Sequence, residues 1–489
     1  MTLEILGHPY AYEMECLARL FYPGERIEVI RQPGETGDGK LVTALNRDGD
    51  KISLSASVRM GGWEYDGTDS FAIEDEDCEW EAQRRLGALF FDLLCKSTNN
   101  RPPWGILTGV RPVNLCRKMM SRFGLTGEQL WEILVRDYRV APQKAELALS
   151  IIGAQKEFLE KDTPDSYSLY VSIPFCPTRC LYCSFVSHAI GKAVKLMPDY
   201  LRLLEEELPV TGAIAGQLGL KLRSVYIGGG TPTTLSPEQL RALLAAIQRS
   251  FPVSGISEYT VEAGRPDSIT KEKLDVLRSF GVSRISVNPQ TMDDNILKAI
   301  GRGHSAEQTR AAMDVARKTG FESINMDVMA GLPGQTPESF LSTLEEVISM
   351  KPQNITVHTL TVKRSSALRA REDAFEQNSH AVDELLEQSG RRLTLAGYLP
   401  YYLYRQQGTP QNLENVGYSL PGSEGLYNIY SMEDSHTILA AGAGAVTKLC
   451  LPSGKIKRLF NYKYPYEYIS GFEALLERKR AVRNFYGKG

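Results

Sequence analysis

The alternation of strand-like and helix-like segments between residues 166 and 396 constrains the fold of this chain more than any other feature. Six short apolar runs are each followed by a segment whose apolar residues recur at helical spacing. The apolar runs begin at residues 168, 224, 258, 284, 323 and 354. Such repeated units form a parallel sheet with right-handed crossovers. A closed barrel of eight units needs about 250 residues, so six units predict an α/β fold, an open (β/α)6 three-quarter TIM-type barrel.

The segments on either side of this region have a different character. Residues 1–165 combine short β segments with a helical pattern from Cys78 to Leu94, which predicts an N-terminal α+β accessory domain. The partial barrel is expected over residues 166–400. The regularity fades after residue 400, so residues 401–489 are predicted to form a small C-terminal extension that closes the substrate site.

Charge and hydropathy exclude several classes of protein. The chain has 56 basic and 59 acidic residues, so a broad electrostatic attraction to nucleic acid is not expected. No run of 18 apolar residues is present, which predicts no membrane span. The N-terminus lacks the basic and apolar segments of a secretory leader. We therefore expect a cytoplasmic protein, and a monomer.

Three of the eight cysteines are clustered directly after the first strand of the alternating region. Cys176, Cys180 and Cys183 have the spacing C-x3-C-x2-C, and loops at this end of barrel strands build active sites. Thiolates favour iron–sulfur clusters or zinc. Three of them can hold three irons of a [4Fe–4S] cluster and leave the fourth iron open for S-adenosylmethionine. A structural zinc site with His188 as fourth ligand is the alternative, and unmetallated core cysteines are a further one.

Polar residues and glycines lie at, just after or within the ends of successive predicted strands. A buried carboxylate is costly unless it is paired, and glycines let a ligand approach the backbone closely. Each of these residues alone is as readily a structural hydrogen-bonding group, but together they predict a shared polar ligand. They are the Gly228–Thr231 segment, Glu262, Gln290, Arg302 and Asp327.

These strings resemble the radical S-adenosylmethionine (radical SAM) superfamily and, within it, the oxygen-independent coproporphyrinogen III oxidase (dehydrogenase-like) family. The segment Thr108-Gly-Val-Arg-Pro112 resembles the HemZ-type subgroup, and Ala441-Gly-Ala-Gly-Ala445 resembles a Gly-x-Gly-Ala element of the family. The other matching strings are Tyr170-Val-Ser-Ile-Pro-Phe-Cys176, Gly228-Gly-Gly-Thr-Pro-Thr233, Arg284-Ile-Ser-Val-Asn-Pro-Gln290 and Met326-Asp-Val-Met-Ala-Gly-Leu-Pro-Gly334.

The resemblance implies both cofactors and a reaction. Cys176, Cys180 and Cys183 would ligate a [4Fe–4S] cluster. Eight residues would contact S-adenosylmethionine: Tyr170, Gly229, Gly230, Thr231, Glu262, Gln290, Arg302 and Asp327. The implied oxidoreductase activity belongs to porphyrin and heme biosynthesis. Two propionates of coproporphyrinogen III are oxidatively decarboxylated to vinyl groups through a 5′-deoxyadenosyl radical, which gives protoporphyrinogen IX. The implied partners are this tetrapyrrole and a reduced electron donor such as a flavodoxin or ferredoxin.

Three positions depart from the patterns of the resemblance. Phe185 stands where the oxidases carry a further cysteine, and Ser172 stands where they carry histidine. Glu414 replaces the histidine of the heme-binding motif in related heme chaperones. A heme chaperone on the same scaffold and another porphyrin-directed radical SAM reaction therefore stay open as alternatives.

A substrate with four propionates needs placed cations, since the net charge of the chain is −3. Lys363 and Arg364 follow the sixth predicted strand, and Arg405 follows the aromatic run from Tyr401 to Tyr404. These three residues are the candidates for substrate binding. A solvated loop is the alternative for the Lys-Arg pair, and ordinary core packing is the alternative for the tyrosines.

Overall fold

The computed structural model of the chain describes residues 1–34, 37–73, 77–183, 188–361, 379–406, 410–451 and 453–487. The chain forms two compact units. The first comprises Met1–Ile152 and Tyr404–Leu413, and the second comprises Gly153–Leu403 and Glu414–Gly489. The predicted division into three domains stays a prediction.

The first unit contains a five-stranded sheet. Its strands are β1 Thr2–Leu6, β2 Glu28–Ile30, β3 Lys40–Asp48, β4 Lys51–Met60 and β5 Trp63–Ala72, in the order β2-β1-β3-β4-β5. Strand β1 is parallel to β2 and β3, and β4 is antiparallel to β3 and β5. The helices of this part of the chain are α1 Ala11–Phe21, α2 Cys78–Thr98, α3 Pro112–Phe123, α4 Gly127–Arg136 and α5 Pro142–Glu160.

The core of this unit lies between the sheet and helix α2. Ile52, Leu54 and Val58 of β4 are buried and alternate with more exposed neighbours, as expected for a strand with one covered face. Leu86 and Phe90 of α2 are fully buried in the same cluster. The predicted α+β character of the first part of the chain is therefore confirmed.

The second unit begins with the strands of the predicted barrel. They are β6 Ser166–Ile173, β7 Phe175–Cys176, β8 His188–Ala189, β9 Lys221–Gly229, β10 Glu258–Gly264, β11 Arg284–Val287, β12 Ser323–Ala330 and β13 Asn354–Thr359. The helices between and after them are α6 Ile190–Ala193, α7 Met197–Gln217, α8 Pro237–Ser250, α9 Lys271–Ser279, α10 Asp294–Ala299, α11 Ala306–Thr319, α12 Pro337–Ser349 and α13 Ser379–Leu395. Strands β6, β9, β10, β11, β12 and β13 lie side by side and parallel, which confirms the six predicted strand–helix units.

Side-chain caps set where several of the crossover helices begin. The side chains of Ser236, Ser305 and Thr336 each accept a hydrogen bond from the backbone N–H three residues later. The side chain of that later residue accepts a hydrogen bond from the backbone N–H of the capping residue. These capping boxes satisfy N–H groups that the first helical turn leaves unpaired. Because the six strands are parallel, they all end at one edge of the sheet, which we call the carboxyl edge.

Residues after 400 extend this sheet on both sides. The added strands are β14 Leu399–Arg405, β15 Glu414–Ser419, β16 Thr437–Ala441, β17 Val446–Cys450 and β18 Ile456–Phe460. The added helices are α14 Leu426–Glu433, α15 Pro465–Ser470, α16 Phe472–Arg480 and α17 Val482–Phe485. The complete order is β14-β15-β13-β12-β11-β10-β9-β6-β16-β17-β18. None of the helices in the described ranges is long and apolar enough to cross a membrane.

Candidate cluster and cofactor site

The cysteine loop leaves the carboxyl edge at the end of β6. Cys176 lies on the two-residue strand β7, and Cys180 and Cys183 follow in the loop; all three thiols are free of disulfides. The backbone N–H of Leu181 donates to the carbonyl of Ile300 at 3.0 Å. Arg265 donates to the carbonyl and the hydroxyl of Thr178 at 3.2 and 2.6 Å. The loop is thus held by residues from two other strand–helix units.

The chemistry of the loop fits an iron–sulfur cluster. Among the described residues, no three His, Cys, Asp or Glu side chains converge on the position of one metal ion. A four-iron cluster does not need that convergence, because each thiolate binds a different iron. The side chain of His188, the fourth ligand of the zinc alternative, lies outside the described residues.

The glycine segment after β9 brings the backbone against the cysteine strand. The N–H of Gly230 donates to Ile173 and the N–H of Thr231 donates to Phe175, both at 2.8 Å. A Cβ at Gly230 would lie 2.5 Å from the Phe175 carbonyl oxygen, and Gly229 has a φ of +112° that other residues rarely adopt. The Thr231 hydroxyl lies 3.6 Å from the Cys176 sulfur. Only glycine therefore permits this close approach beside the first cysteine.

Glu262 lies beside this segment within a group of stacked tyrosines. Its carboxylate accepts a hydrogen bond from the Tyr226 hydroxyl at 2.7 Å. The Tyr427 ring stacks on Tyr226 with centroids 4.4 Å apart, and Tyr170 stacks at 6.2 Å from Tyr226. Burial raises the pKa of Glu262 to about 7, and the charge of Asp327 acts in the same direction. This carboxyl therefore changes charge near neutral pH.

Asp327 lies on β12 and is paired with a histidine from the next strand. His358 Nε2 is 3.6 Å from an Asp327 carboxylate oxygen, and Asn325 donates to the carboxylate at 2.7 Å. Burial alone would raise the pKa of Asp327, but the hydrogen bond and charge of His358 outweigh it and lower that pKa. The same pairing raises the pKa of His358 against the effect of its burial. Asp327 is thus held ionised inside the protein.

Gln290 and Arg302 each carry a buried polar side-chain atom that has no partner among the described residues. The backbone of Gln290 has a φ of +70° and bridges to β12 through hydrogen bonds with Asp327 and Met329. Arg302 donates to the Asn288 carbonyl at 2.5 Å, and its side chain also contacts Cys180. Gln290 Oε1 and Arg302 Nε are buried and have no protein partner within the described part of the chain. Unpaired buried polar atoms are costly, so they fit a polar ligand such as S-adenosylmethionine.

Three cations, Lys363, Arg364 and Arg405, were predicted to bind the substrate. Lys363 and Arg364 lie outside the described residues. Arg405 belongs to the first unit, where it donates to the carbonyls of Leu107 and Asn412 and lies over the Trp104 ring at 5.4 Å. The role of Arg405 in substrate binding stays a prediction.

The departures from the family patterns have clear local settings. Ser172 is buried, and its carbonyl accepts a hydrogen bond from the Tyr200 hydroxyl at 2.7 Å. Glu414 is also buried, and its carbonyl accepts a hydrogen bond from Thr359. Phe185 lies outside the described residues. Sequence reasoning did not assign Tyr427 or His358 to the site, because neither belongs to a recognisable motif and each reaches it only through the fold.

Comparison with known proteins adds independent findings. The model of the radical SAM superfamily matches residues 170–347. The oxygen-independent coproporphyrinogen-III oxidase-like protein HemZ of Bacillus subtilis is 36% identical over 95% of this chain and 94% of its own length. The heme chaperone HemW of Haemophilus influenzae is 32% identical over 65% of this chain and 79% of its own length. The solved structure of coproporphyrinogen III oxidase (HemN) from Escherichia coli has a TM-score of 0.53 and 24% identity, covering 66% of this chain and 73% of that one, which shows a shared fold.

Proposed function

This chain belongs to the radical SAM superfamily and, within it, to the oxygen-independent coproporphyrinogen-III oxidase-like family, and we propose that it oxidatively decarboxylates coproporphyrinogen III. Proteins of this superfamily use a [4Fe–4S] cluster and S-adenosylmethionine. When bound, these cofactors supply a 5′-deoxyadenosyl radical. The observation that carries the proposal is the loop of Cys176, Cys180 and Cys183, held between the glycine segment and Arg302.

The residues of the site have separate roles in this proposal. The three thiolates each hold one iron, and the Arg302 side chain offsets their negative charge at Cys180. Glycines 228–230 let the end of β9 pack directly against Glu262, Ile173 and Phe175, which fixes this backbone beside the first cysteine. Glu262, Asp327 and Gln290 supply the acceptors that amine and hydroxyl groups of S-adenosylmethionine need.

The stacked tyrosines line the space beside these polar groups. Tyr170, Tyr226 and Tyr427 stack on one another, and in this proposal their rings would shield the reacting carbon of a substrate from water. At each reacting propionate the β-hydrogen atom would pass to the 5′-deoxyadenosyl radical, CO2 would leave, and the remaining electron would pass to an external one-electron acceptor, which leaves a vinyl group. Two such steps turn coproporphyrinogen III into protoporphyrinogen IX. In this proposal Lys363, Arg364 and Arg405 are the candidate partners of the remaining carboxylates.

A heme chaperone is the second candidate, because relatives at about one third identity carry that name. One observation weighs against it. Glu414 stands at the position of the chaperone histidine and is buried, with an exposure of 1%. Binding of heme through this position would need another ligand.

Anaerobic incubation with a reductant, S-adenosylmethionine and coproporphyrinogen III separates the two candidates. The oxidase proposal predicts a divinyl tetrapyrrole together with 5′-deoxyadenosine, both detected by liquid chromatography and mass spectrometry. One-to-one binding of heme with no vinyl product would favour the chaperone. The Cys180→Ala variant is the control for non-enzymatic oxidation of the substrate.

A further inference from the structure

Three polar side chains form a row across the neighbouring strands β12, β13 and β15. His358 pairs with Met329 of β12, and Asp327 lies two residues before Met329. Since every second residue of a strand points to the same face, Asp327 shares the face of His358. The antiparallel register of β13 and β15, continued by one pair, places Asn415 opposite His358 on that face. The row therefore runs from Asp327 through His358 to Asn415.

The ring of His358 has a partner on each of these neighbouring strands. Its Nε2 atom lies 3.6 Å from an Asp327 carboxylate oxygen, and the ring also hydrogen-bonds the Asn415 side chain. Asn415 Oδ1 accepts the backbone N–H of Thr359 at 3.0 Å, so this amide turns its oxygen, an acceptor, toward β13. An imidazole between two acceptors is favoured in its doubly protonated form, which carries a positive charge.

The carboxylates that face this ring come from two strands. Burial alone would lower the pKa of His358. The hydrogen bond and charge of Asp327 on β12 outweigh burial, and the hydrogen bond of Asn415 and the charge of Glu262 on β10 act in the same direction, so that pKa is raised. Burial raises the pKa of Glu262, and the charge of His358 opposes this effect. The imidazolium thus stabilises the charged forms of Asp327 and Glu262.

The members of the row differ in how far a ligand can reach them. The side chains of His358 and Asp327 are 20% and 17% exposed. Asn415 is 1% exposed. Asp327 is therefore accessible to a polar ligand, whereas Asn415 is buried behind the ring and serves to hold it.

We propose that His358 is a positioning residue of the cofactor site. Its imidazolium keeps Asp327 and Glu262 ionised together, so that both accept hydrogen bonds from S-adenosylmethionine. Without this cation two buried carboxylates would share the site, and one of them would keep a proton. The inference deepens the proposed function, because it rests on the proposed cofactor site, but it does not depend on the tetrapyrrole. Through Asn415 it also gives the segment from Glu414 to Tyr418 a role other than heme binding.

The pH dependence of cofactor binding tests this role. The affinity of the cluster-loaded full-length protein for S-adenosylmethionine is measured by equilibrium dialysis between pH 6 and pH 9, with no tetrapyrrole present. In the unaltered protein the affinity should rise with a midpoint near the Glu262 pKa of about 7. His358→Gln keeps a hydrogen-bond donor but removes the charge, so the midpoint should move up by about one pH unit. The affinity at pH 7 should then fall about fivefold and recover by pH 9.

Two further variants separate this role from general damage to the fold. Asn415→Ala removes the oxygen that holds the ring, and it should shift the midpoint in the same direction by a smaller amount. His436→Gln is the matched control, because His436 is also a buried histidine beside a carboxylate, with Nδ1 2.9 Å from Asp162. His436 contacts Ser168 near the start of β6, away from the carboxyl edge. This control should keep the midpoint near pH 7.

A direct titration of the ring supplies a second readout. The chain has six histidines, so the ring signal of His358 in histidine-labelled protein can be assigned by NMR through its loss in His358→Gln. His358 should titrate above its ordinary pKa of 6.5, and titration below that value would overturn the inference.

Two results of the binding assay would also overturn it. One is an unchanged midpoint in His358→Gln. The other is an affinity lowered by the same factor at every pH, since loss of structure alone has that effect. A protein that binds S-adenosylmethionine with the expected profile but forms no vinyl product would contradict the proposed reaction and leave the role of His358 standing.

Discussion

The buried ion pair between Glu207 and Lys479 should be among the groups on which the stability of the second unit depends most. Glu207 lies on α7 with no exposed surface, and Lys479 Nζ is 2.8 Å from its carboxylate. The carboxylate also accepts hydrogen bonds from the Gly442 N–H, the Tyr468 hydroxyl and the Asn461 amide at 2.7–2.9 Å. It therefore joins the C-terminal helices and the Gly442 loop to the barrel.

We expect Glu207→Gln to lower the free energy of unfolding by about 3–5 kcal/mol. Removing one partner of a buried pair leaves the other charge without compensation, which costs that amount. A glutamine also turns an N–H group toward donors that the carboxylate now accepts. The assay is urea unfolding followed by circular dichroism, and the midpoint should fall by about 1–2 M.

Two controls make the reasoning refutable. Glu206→Gln changes the same chemical group one residue earlier on the same helix, where the side chain is exposed and pairs with Arg202. Glu206→Gln should lower the free energy of unfolding by less than about 1 kcal/mol. Glu207→Leu combined with Lys479→Met removes both charges and should cost less than Glu207→Leu alone, which leaves the Lys479 charge buried without its partner. A Glu207→Gln variant no less stable than Glu206→Gln would refute the account of this pair.

Three further predictions concern the cofactor and substrate sites. Cys180→Ala should reduce bound iron from about four atoms per chain to near zero, while Cys450→Ala, a buried cysteine on β17, should retain it; full iron content in the first variant would remove Cys180 from the ligands. Because the pKa of Glu262 is raised to about 7, its carboxylate becomes ionised as pH rises from 6 to 8, and S-adenosylmethionine should bind more tightly over that interval in equilibrium dialysis. Glu262→Gln should abolish this dependence, and an unchanged pH profile would contradict the assignment. Arg364→Ala should raise the KM for the tetrapyrrole about tenfold with normal cluster absorbance, whereas Arg391→Ala on α13 should leave KM unaltered; equal KM values in both would exclude Arg364.

The central part of the fold was predictable because its signals are local. Serine and threonine caps mark the starts of helices such as α8 and α12, and the parallel strands between them are short apolar runs. The spacing of the three cysteines and their place after β6 were likewise visible in the sequence. The six strand–helix units follow from these signals without knowledge of distant contacts.

The outer strands were not predicted, for two different physical reasons. Strands β15 and β16 are buried at every residue, so they lack the alternation that identifies a strand with one exposed face. Strand β5 contains Asp66, Gly67 and Asp69, which are poor strand formers, and it pairs through its neighbour β4. In both cases the strand forms because neighbouring strands pair with it, although its own sequence lacks a strand pattern.

The cofactor site was likewise predictable only where its residues belong to a local sequence pattern. Glu262 lies near the end of β10 and Asp327 lies within β12, and both were identified from their place along predicted strands and from the family resemblance. Tyr427 reaches Tyr226 from α14, about 200 residues later in the chain, and His358 meets Asp327 only because β12 and β13 pair in register. Arg405 follows an aromatic run, and nothing in the local sequence indicated that its guanidinium donates to the carbonyls of Leu107 and Asn412. Side-chain partners separated by long stretches of sequence require the fold.

Hydrogen transfer from the substrate tests the proposed reaction most directly. Coproporphyrinogen III deuterated at the β-carbons of its propionates is incubated anaerobically with the cluster-loaded protein, dithionite and S-adenosylmethionine. The proposal predicts one deuterium in each 5′-deoxyadenosine formed, and one such molecule for each vinyl group, by mass spectrometry. 5′-Deoxyadenosine without deuterium, beside an unchanged tetrapyrrole, would contradict it.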